Sequence, residues 1–275
     1  MEDYLGYRDI ELSDDELSDF YAGIFNFQNN LYVNEYVNIK NCGKVVEQVC
    51  FQGNGRIQRI RWPIIHNHYG EDIKARNIYQ NFAIDLLQSA QPKVKLIRGV
   101  YGSGKDLLMT GAALEFLDKG AFKKIVFIRP NVTVADVPDI GYLPGDAEDK
   151  LAWTLGPIMD KMGSDGRLKT LINKGSFENI PLPYLRGRSF EDSIVYVTEG
   201  QNMTTEIAKL VISRVGNGSE LWINGDSRQV DRRIYDKNNG LNRMVERLKG
   251  NPLFGYIWLP ITERSSVANL ANLLD

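Results

Sequence analysis

"LIRGVYGSGKDLLM", residues 96–109, decides the fold. An apolar run leads into Gly99, Gly102, Ser103 and Gly104, and Lys105 then opens a second apolar run with the spacing G-x-x-x-x-G-K. A strand, a glycine loop and a helix in that order form a cradle for phosphate. The glycines let backbone N–H groups converge on one oxyanion, the helix N-terminus adds the positive end of its dipole, and the lysine ammonium reaches the terminal phosphates. The next position ordinarily carries Ser or Thr, which ligates the Mg2+ that accompanies a nucleoside triphosphate. Here it is Asp106.

The flanks supply the context this loop requires. "KVKLIR" reads as the strand before it, and "KDLLMTGAALEFLDKG" as the helix after it, ending at Gly120. Upstream, "IKARNIYQNFAIDLLQSA" has helical spacing. Downstream the expected order is strand "KIVFIRP", helix "DKLAWTLGPIMDKMG", a strand near "LPYLRG" and strand "SIVYVTEG". Helix "TTEIAKLVISRVG", strand "ELWING", helix "GLNRMVERLKG", strand "YIWLPI" and helix "SSVANLANLLD" complete it. This alternation predicts an α/β domain over residues 71–275, with a parallel sheet covered on both faces and ligands at the C-terminal ends of its strands.

Residues 1–70 differ in texture. Ser13 and Glu16 have capping-box spacing, so a short helix starts there. "LYVNEYVNIK", "KVVEQVCFQ" and "RIQRIRW" are strand-like runs separated by "NCG" and "GNG", which suit tight turns. They predict a three-stranded meander in a small β-rich N-terminal module, too small to stand without a neighbour.

Composition narrows the classes. With 33 Lys+Arg against 35 Asp+Glu the net charge is −2, so a global basic footprint for nucleic acid is absent. Basic character is local, at "RIQRIR" (56–61) and from Arg228 to Lys249. No apolar run is long enough to cross a bilayer, and the acidic N-terminus lacks the basic start and apolar core of a signal peptide, so a cytoplasmic protein without a membrane partner is expected. Cys42 and Cys50 cannot make a disulfide framework and read as partly buried free thiols. His66 and His68 are too few for a zinc site and read as an exposed loop joining the modules. Trp62, Trp153, Trp222 and Trp258 read as packing residues.

A triphosphate site also needs acidic and polar groups at the ends of neighbouring strands. "SIVYVTEGQN" supplies Thr198, Glu199 and Gln201, and "ELWINGDSRQ" supplies Asp226 and Gln229.

Six stretches in order, "RGVYGSGKD", "FIRPNVTVADVPDIGYLPGD", "YLRGRS", "VTEGQNMTT", "INGDSRQVD" and "NPLFGYIWLPITERS", resemble the PhoH-like ATPases, P-loop proteins related to the core of superfamily 1 helicases. "GYRDIELSDDELSDFY" and "NEYVNIKN" look like the connector that follows a PIN nuclease domain in longer members, although no PIN domain is expected in this sequence. The resemblance implies a RecA-like fold, ATP hydrolysis with Mg2+, a homo-oligomeric ring (a hexamer is one candidate) and single-stranded RNA as polymer. Lys105 would hold the β- and γ-phosphates, Glu199 would be the base or water-orienting group, and Gln201 its neighbour. Asp226 and Gln229 would report nucleotide state, and Arg264 would reach a γ-phosphate. Gln80 stands where related proteins read adenine. Arg129, Arg186 and Arg188 match family stretches and are candidate nucleic-acid contacts, against the alternative of salt bridges to Asp139 or Glu191. The chain has room for one RecA-like domain, so Arg264 or Arg233 would act across a subunit interface.

The departures from the pattern are paired. The family loop ends in Thr and its second motif reads Asp-Glu, whereas here those positions are Asp106 and Thr198. The exchange leaves the formal charge around a metal unchanged. An uncompensated carboxylate beside a triphosphate would be repulsive, by about 1 kcal/mol at ~4 Å in water and about 4 at an effective dielectric near 20. The expectation is a compensated site, with Asp106 on Mg2+ and Thr198 bonded to a metal-bound water. The alternative is a catalytically silent nucleotide-binding scaffold or sensor. A phosphotransferase lacks any acceptor-binding motif and ranks last.

Overall fold

The parallel sheet is built from six strands whose side chains alternate between two apolar layers. In the computed structural model, which describes residues 4–24, 30–68, 70–130, 165–226 and 238–263, they are β7 (Val94–Gly99), β8 (Lys124–Ile128), β9 (Phe177–Asn179), β10 (Ser193–Val197), β11 (Glu220–Gly225) and β12 (Phe254–Leu259). Their order across the sheet is β12-β7-β11-β10-β8-β9, every neighbour parallel. The period of two sends Ile97, Ile125, Phe127, Ile194, Trp222 and Ile257 to one face, where α2 (Ile78–Gln88) and α3 (Lys105–Asp118) cover them. Leu96, Val126, Val195, Val197, Leu221 and Ile223 go to the other, under α5 (Thr205–Ile212) and α6 (Gly240–Leu248). This is the α/β layering of a RecA-like P-loop domain. The strand leading into the glycine loop is separated from the strand leading into Glu199 by β11 alone. Both loops therefore open at one edge.

The N-terminal sheet has four strands rather than three: β1 (Tyr7–Glu11), β2 (Tyr36–Asn41), β3 (Lys44–Gly53) and β4 (Arg56–Arg59), in that order. The extra strand, β1, runs parallel to β2. Its charges are matched locally, Arg8 gripping Glu35 at 2.7 and 3.0 Å and Asp9 accepting from Asn38 at 2.8 Å. Helix α1 (Asp14–Tyr21) starts with the capping box at Ser13 and Glu16, and lays Phe20 over Val37, Ile39 and Val49. The opposite face docks on the P-loop domain. Tyr36 packs against Phe82, the rings tilted and their centroids 5.0 Å apart, and donates to Asp85 at 2.9 Å, while the Asn34 amide donates to the carbonyls of Pro252 and Phe254. His66 and His68 are exposed in a loop, as expected, and that loop joins a short ladder of β5 (Ile64–Ile65) with β6 (Ile73–Lys74).

Other differences have local causes. The strand expected near "LPYLRG" lies earlier, at β9, and Leu182–Leu185 forms a 3-10 turn, because Pro181 and Pro183 offer no N–H to a ladder. Helix α4 (Asp165–Asn173) was not anticipated. Cys42 is exposed, in a turn at φ 49°, rather than partly buried; Cys50 is buried, which pushes its thiol pKa up. Trp222 is fully buried, but Trp62 is 57% exposed and so is not a packing residue. Trp153 and the helices expected in "DKLAWTLGPIMDKMG" and "SSVANLANLLD" lie outside the described residues. No helix among those described is long and apolar enough to cross a membrane.

Candidate nucleotide site

After Gly99 the chain turns tightly, with Ser103 N–H donating to the Val100 carbonyl at 3.1 Å. Gly102 (φ 74°) and Gly104 (φ 87°) take left-handed conformations that side chains disfavour. Gly104 is the N-cap of α3 and offers no side-chain acceptor, so the first-turn N–H groups remain available to an anion. Gln80 braces the loop from behind: its amide donates to the Ser103 carbonyl at 2.9 Å, and its oxygen accepts from Arg76 N–H at 2.9 Å. The segment after β12 braces the front, with Glu263 N–H on the Gly102 carbonyl at 3.0 Å and the Thr262 hydroxyl on the Tyr101 carbonyl at 2.9 Å.

The loop faces a cleft of about 820 Å³, within the range of small-molecule sites. Lys105, Asp106, Arg129, Thr198, Glu199 and Asp226 line it, and β6 forms the far wall. On its acidic side one network ties the start of α3 to the ends of β10 and β11. Asp106 Oδ1 accepts from Asn224 at 2.8 Å and from the Thr198 hydroxyl at 3.4 Å, bridging 92 positions of sequence. The Asn224 oxygen accepts from Glu199 N–H at 3.2 Å. Gln201 donates to Glu199 Oε2 at 2.7 Å and accepts from Asp226 N–H at 3.0 Å. Glu199 itself sits at φ 53°, ψ 39°, an uncommon conformation for a glutamate. Gly200 must follow, because a Cβ there would meet the Asn224 carbonyl at 2.8 Å.

The family described as PhoH-like protein matches residues 72–267. This chain belongs to the PhoH-like family. It is 33% identical over 284 residues to Protein PhoH2 of Bacillus subtilis (strain 168), covering 98% of this chain and 63% of that one. It is 34% identical over 202 residues to Protein PhoH2 of Thermobispora bispora, covering 72% and 46%. A PhoH-like protein of Bacillus subtilis (strain 168) is 33% identical over 193 residues, covering 68% and 58%. The chain thus spans roughly half to just under two thirds of the length of these relatives.

As a PhoH-like P-loop protein the chain carries a nucleotide-binding fold, and its loop fits a phosphate. The α3 N-terminus lacks a side-chain cap, Ser103 Oγ is buried without a hydrogen-bond partner among the described residues, and Lys105 makes no ion pair among them. No cluster of three or more His, Cys, Asp or Glu among the described residues could cage a metal. A divalent ion here would be held by one or two protein oxygens with phosphate and water, the habit of Mg2+.

Lys105, Asp106, Thr198, Glu199, Gln201 and Asp226 are brought to one edge, while Gln229, Arg233 and Arg264 lie outside the described residues. Gln80 lines the cleft, with its oxygen and one N–H engaged by the backbone rather than turned toward a base. Arg129, expected at a polymer, lines this same cleft and has no ion pair among the described residues. Arg186 is exposed. Arg188 is engaged: it grips Glu178, not Glu191, at 2.7 and 3.1 Å and lies 5.0 Å over the Phe190 ring, while Asp139 lies outside the described residues. Two members of the network are not anticipated by the sequence, Asn224 and Tyr196, whose hydroxyl oxygen accepts from the Asn224 amide at 3.0 Å. The only trace of Asn224 in the sequence is a poor strand former inside "ELWING".

Proposed function

We propose that this PhoH-like chain binds ATP with Mg2+, hydrolyses it, and couples turnover to single-stranded RNA. The observation that carries the reading is the Asp106–Thr198 contact at 3.4 Å. The two positions that exchanged residue types meet beside the phosphate loop, as a compensated metal site requires.

The loop N–H groups and Lys105 bind the phosphates; Asp106 would hold the metal with Thr198 supporting its hydration, and the metal would neutralise developing charge on the phosphate oxygens. The Glu199 carboxylate orients the attacking water and takes its proton, and Gln201 fixes that carboxylate through its 2.7 Å hydrogen bond. Asp226, tied to Gln201 through its own N–H, senses the terminal phosphate. Arg264 or Arg233 reaches the γ-phosphate of a neighbouring subunit in a ring, and light scattering with ATP and Mg2+ tests that assembly: a monomer counts against it. The compartment is the cytoplasm.

The deciding experiment is ATP turnover by wild type and Lys105→Ala, with and without single-stranded RNA. Lys105-dependent turnover that RNA accelerates supports the reading. Nucleotide binding without Lys105-dependent turnover would leave the silent scaffold instead.

A further inference from the structure

Asn224 stands in the strand between the phosphate loop and Glu199, 1% exposed. Asparagine is a poor strand former, and a buried amide is costly unless each of its polar atoms is matched. Here all are. One amide proton goes to Asp106 Oδ1 at 2.8 Å and the other to the Tyr196 hydroxyl oxygen at 3.0 Å, while the amide oxygen takes Glu199 N–H at 3.2 Å.

One side chain thus holds both the Asp106 carboxylate and the left-handed Glu199 peptide. A smaller residue would free the carboxylate to rotate, and a carboxylate at this position would add negative charge directly against Asp106. Only a group that both donates and accepts serves both arms. We infer that Asn224 is a positioning residue, which fixes Asp106 toward the metal and Glu199 toward the water and so links the two halves of the site. This rests on the reading of Asp106 as a metal ligand, and the test is chosen to tell the two failures apart.

The test is binding of a non-hydrolysable ATP analogue to the full chain with Mn2+ as probe, followed by titration calorimetry and by the Mn2+ paramagnetic resonance signal, and repeated in a chelator. The variants are Asn224→Ala, Asn224→Leu (which keeps the volume and removes the hydrogen bonds), Asp106→Asn, and Asp106→Asn combined with Asn224→Ala. Groups that orient metal ligands are typically worth 10- to 100-fold in metal affinity, so Asn224→Ala and Asn224→Leu should each weaken Mn2+-dependent binding by about ten-fold or more. The combined variant should be no weaker than Asp106→Asn alone, because Asn224 acts through Asp106. Full additivity overturns the inference. So does an Asn224 variant that melts early yet binds Mn2+–nucleotide like wild type, which would mark a purely structural amide. If Asp106→Asn leaves Mn2+ dependence intact, the metal-site reading fails first and takes the inference with it.

Discussion

Two polar clusters share strand β11 and lie at opposite ends of the sheet. At the N-terminal end Lys95, fully buried, meets Glu220 at 2.7 Å and donates to the carbonyls of Leu87 and Ser89 at 2.7 Å each, with its ammonium 5.2 Å from the Trp222 ring. Glu220 also accepts from the Trp222 indole at 2.9 Å and from Lys93 at 3.2 Å. Charge is matched by charge. At the C-terminal end the hydrogen bonds to Asp106 and Glu199 described above come from neutral groups, Asn224, Thr198 and Gln201. Neutral donors orient a carboxylate without cancelling its charge, so that end stays able to hold a cation. One end closes the fold; the other holds charge in place for a ligand.

Breaking the closed end should cost the most stability. Lys95→Met leaves buried Glu220 with only Lys93, about half exposed, as its cation, a loss of up to about 3 kcal/mol, read as a fall in Tm of several degrees. Lys95→Met with Glu220→Leu should regain much of it; a single variant as stable as wild type would sink the contrast. The pH dependence has a definite sign. Burial pushes the Lys95 ammonium pKa down to about 8 from its ordinary 10.5, so between those values the unfolded chain binds more protons and this group makes stability rise with pH. Subtracting the Lys95→Met profile from wild type in denaturant melts isolates the term, which should be absent from the variant.

Breaking the open end should leave the fold and remove the chemistry. Lys105→Ala is expected to lower ATP turnover by about 10²–10³-fold, the usual loss of one preorganised donor to a developing charge, with a nearly unchanged Tm. Asp106→Thr and Thr198→Asp should each lower turnover by roughly 10- to 100-fold, and the double exchange should recover much of it. Simple addition of the two losses would show that the pair is not coupled.

The open end was the more legible of the two. The glycine spacing placed the loop, and the strand–helix alternation put Asp106 and Thr198 at one sheet edge although 92 positions separate them. Asn224 was not legible, because a polar residue just before Gly225 and Asp226 reads as a strand end rather than as the centre of a network. Lys95 was hidden for the opposite reason: in "KVKLIR" it looks like the solvent face of a strand, and only the packing of Trp222 and the end of α2 encloses it. β1 is five residues long, carries three charges and pairs with a strand 29 positions later, so neither periodicity nor turn chemistry marked it. Arg188 paired with Glu178 because β9 formed earlier than expected and brought that carboxylate beside it.

That last pair repeats the contrast on the surface, at smaller scale. The Arg188 guanidinium, helped by Lys124, holds the Glu178 carboxyl below the usual carboxylate range. Its contribution to stability is therefore present above the unfolded pKa and lost as pH falls through the folded one. Both side chains are about a third exposed, so Arg188→Ala should cost no more than about 1 kcal/mol near neutral pH, with correspondingly less to lose in acid. Arg186, two residues away, is exposed and makes no ion pair among the described residues. If single-stranded RNA passes this edge, Arg186→Ala should lower the slope of log affinity against log salt by about 0.7, while Arg188→Ala leaves it nearly unchanged, because its charge is already matched by Glu178. Equal slopes lost in both variants would mean that RNA displaces Glu178, and that a charge-matched pair can still serve as a binding group.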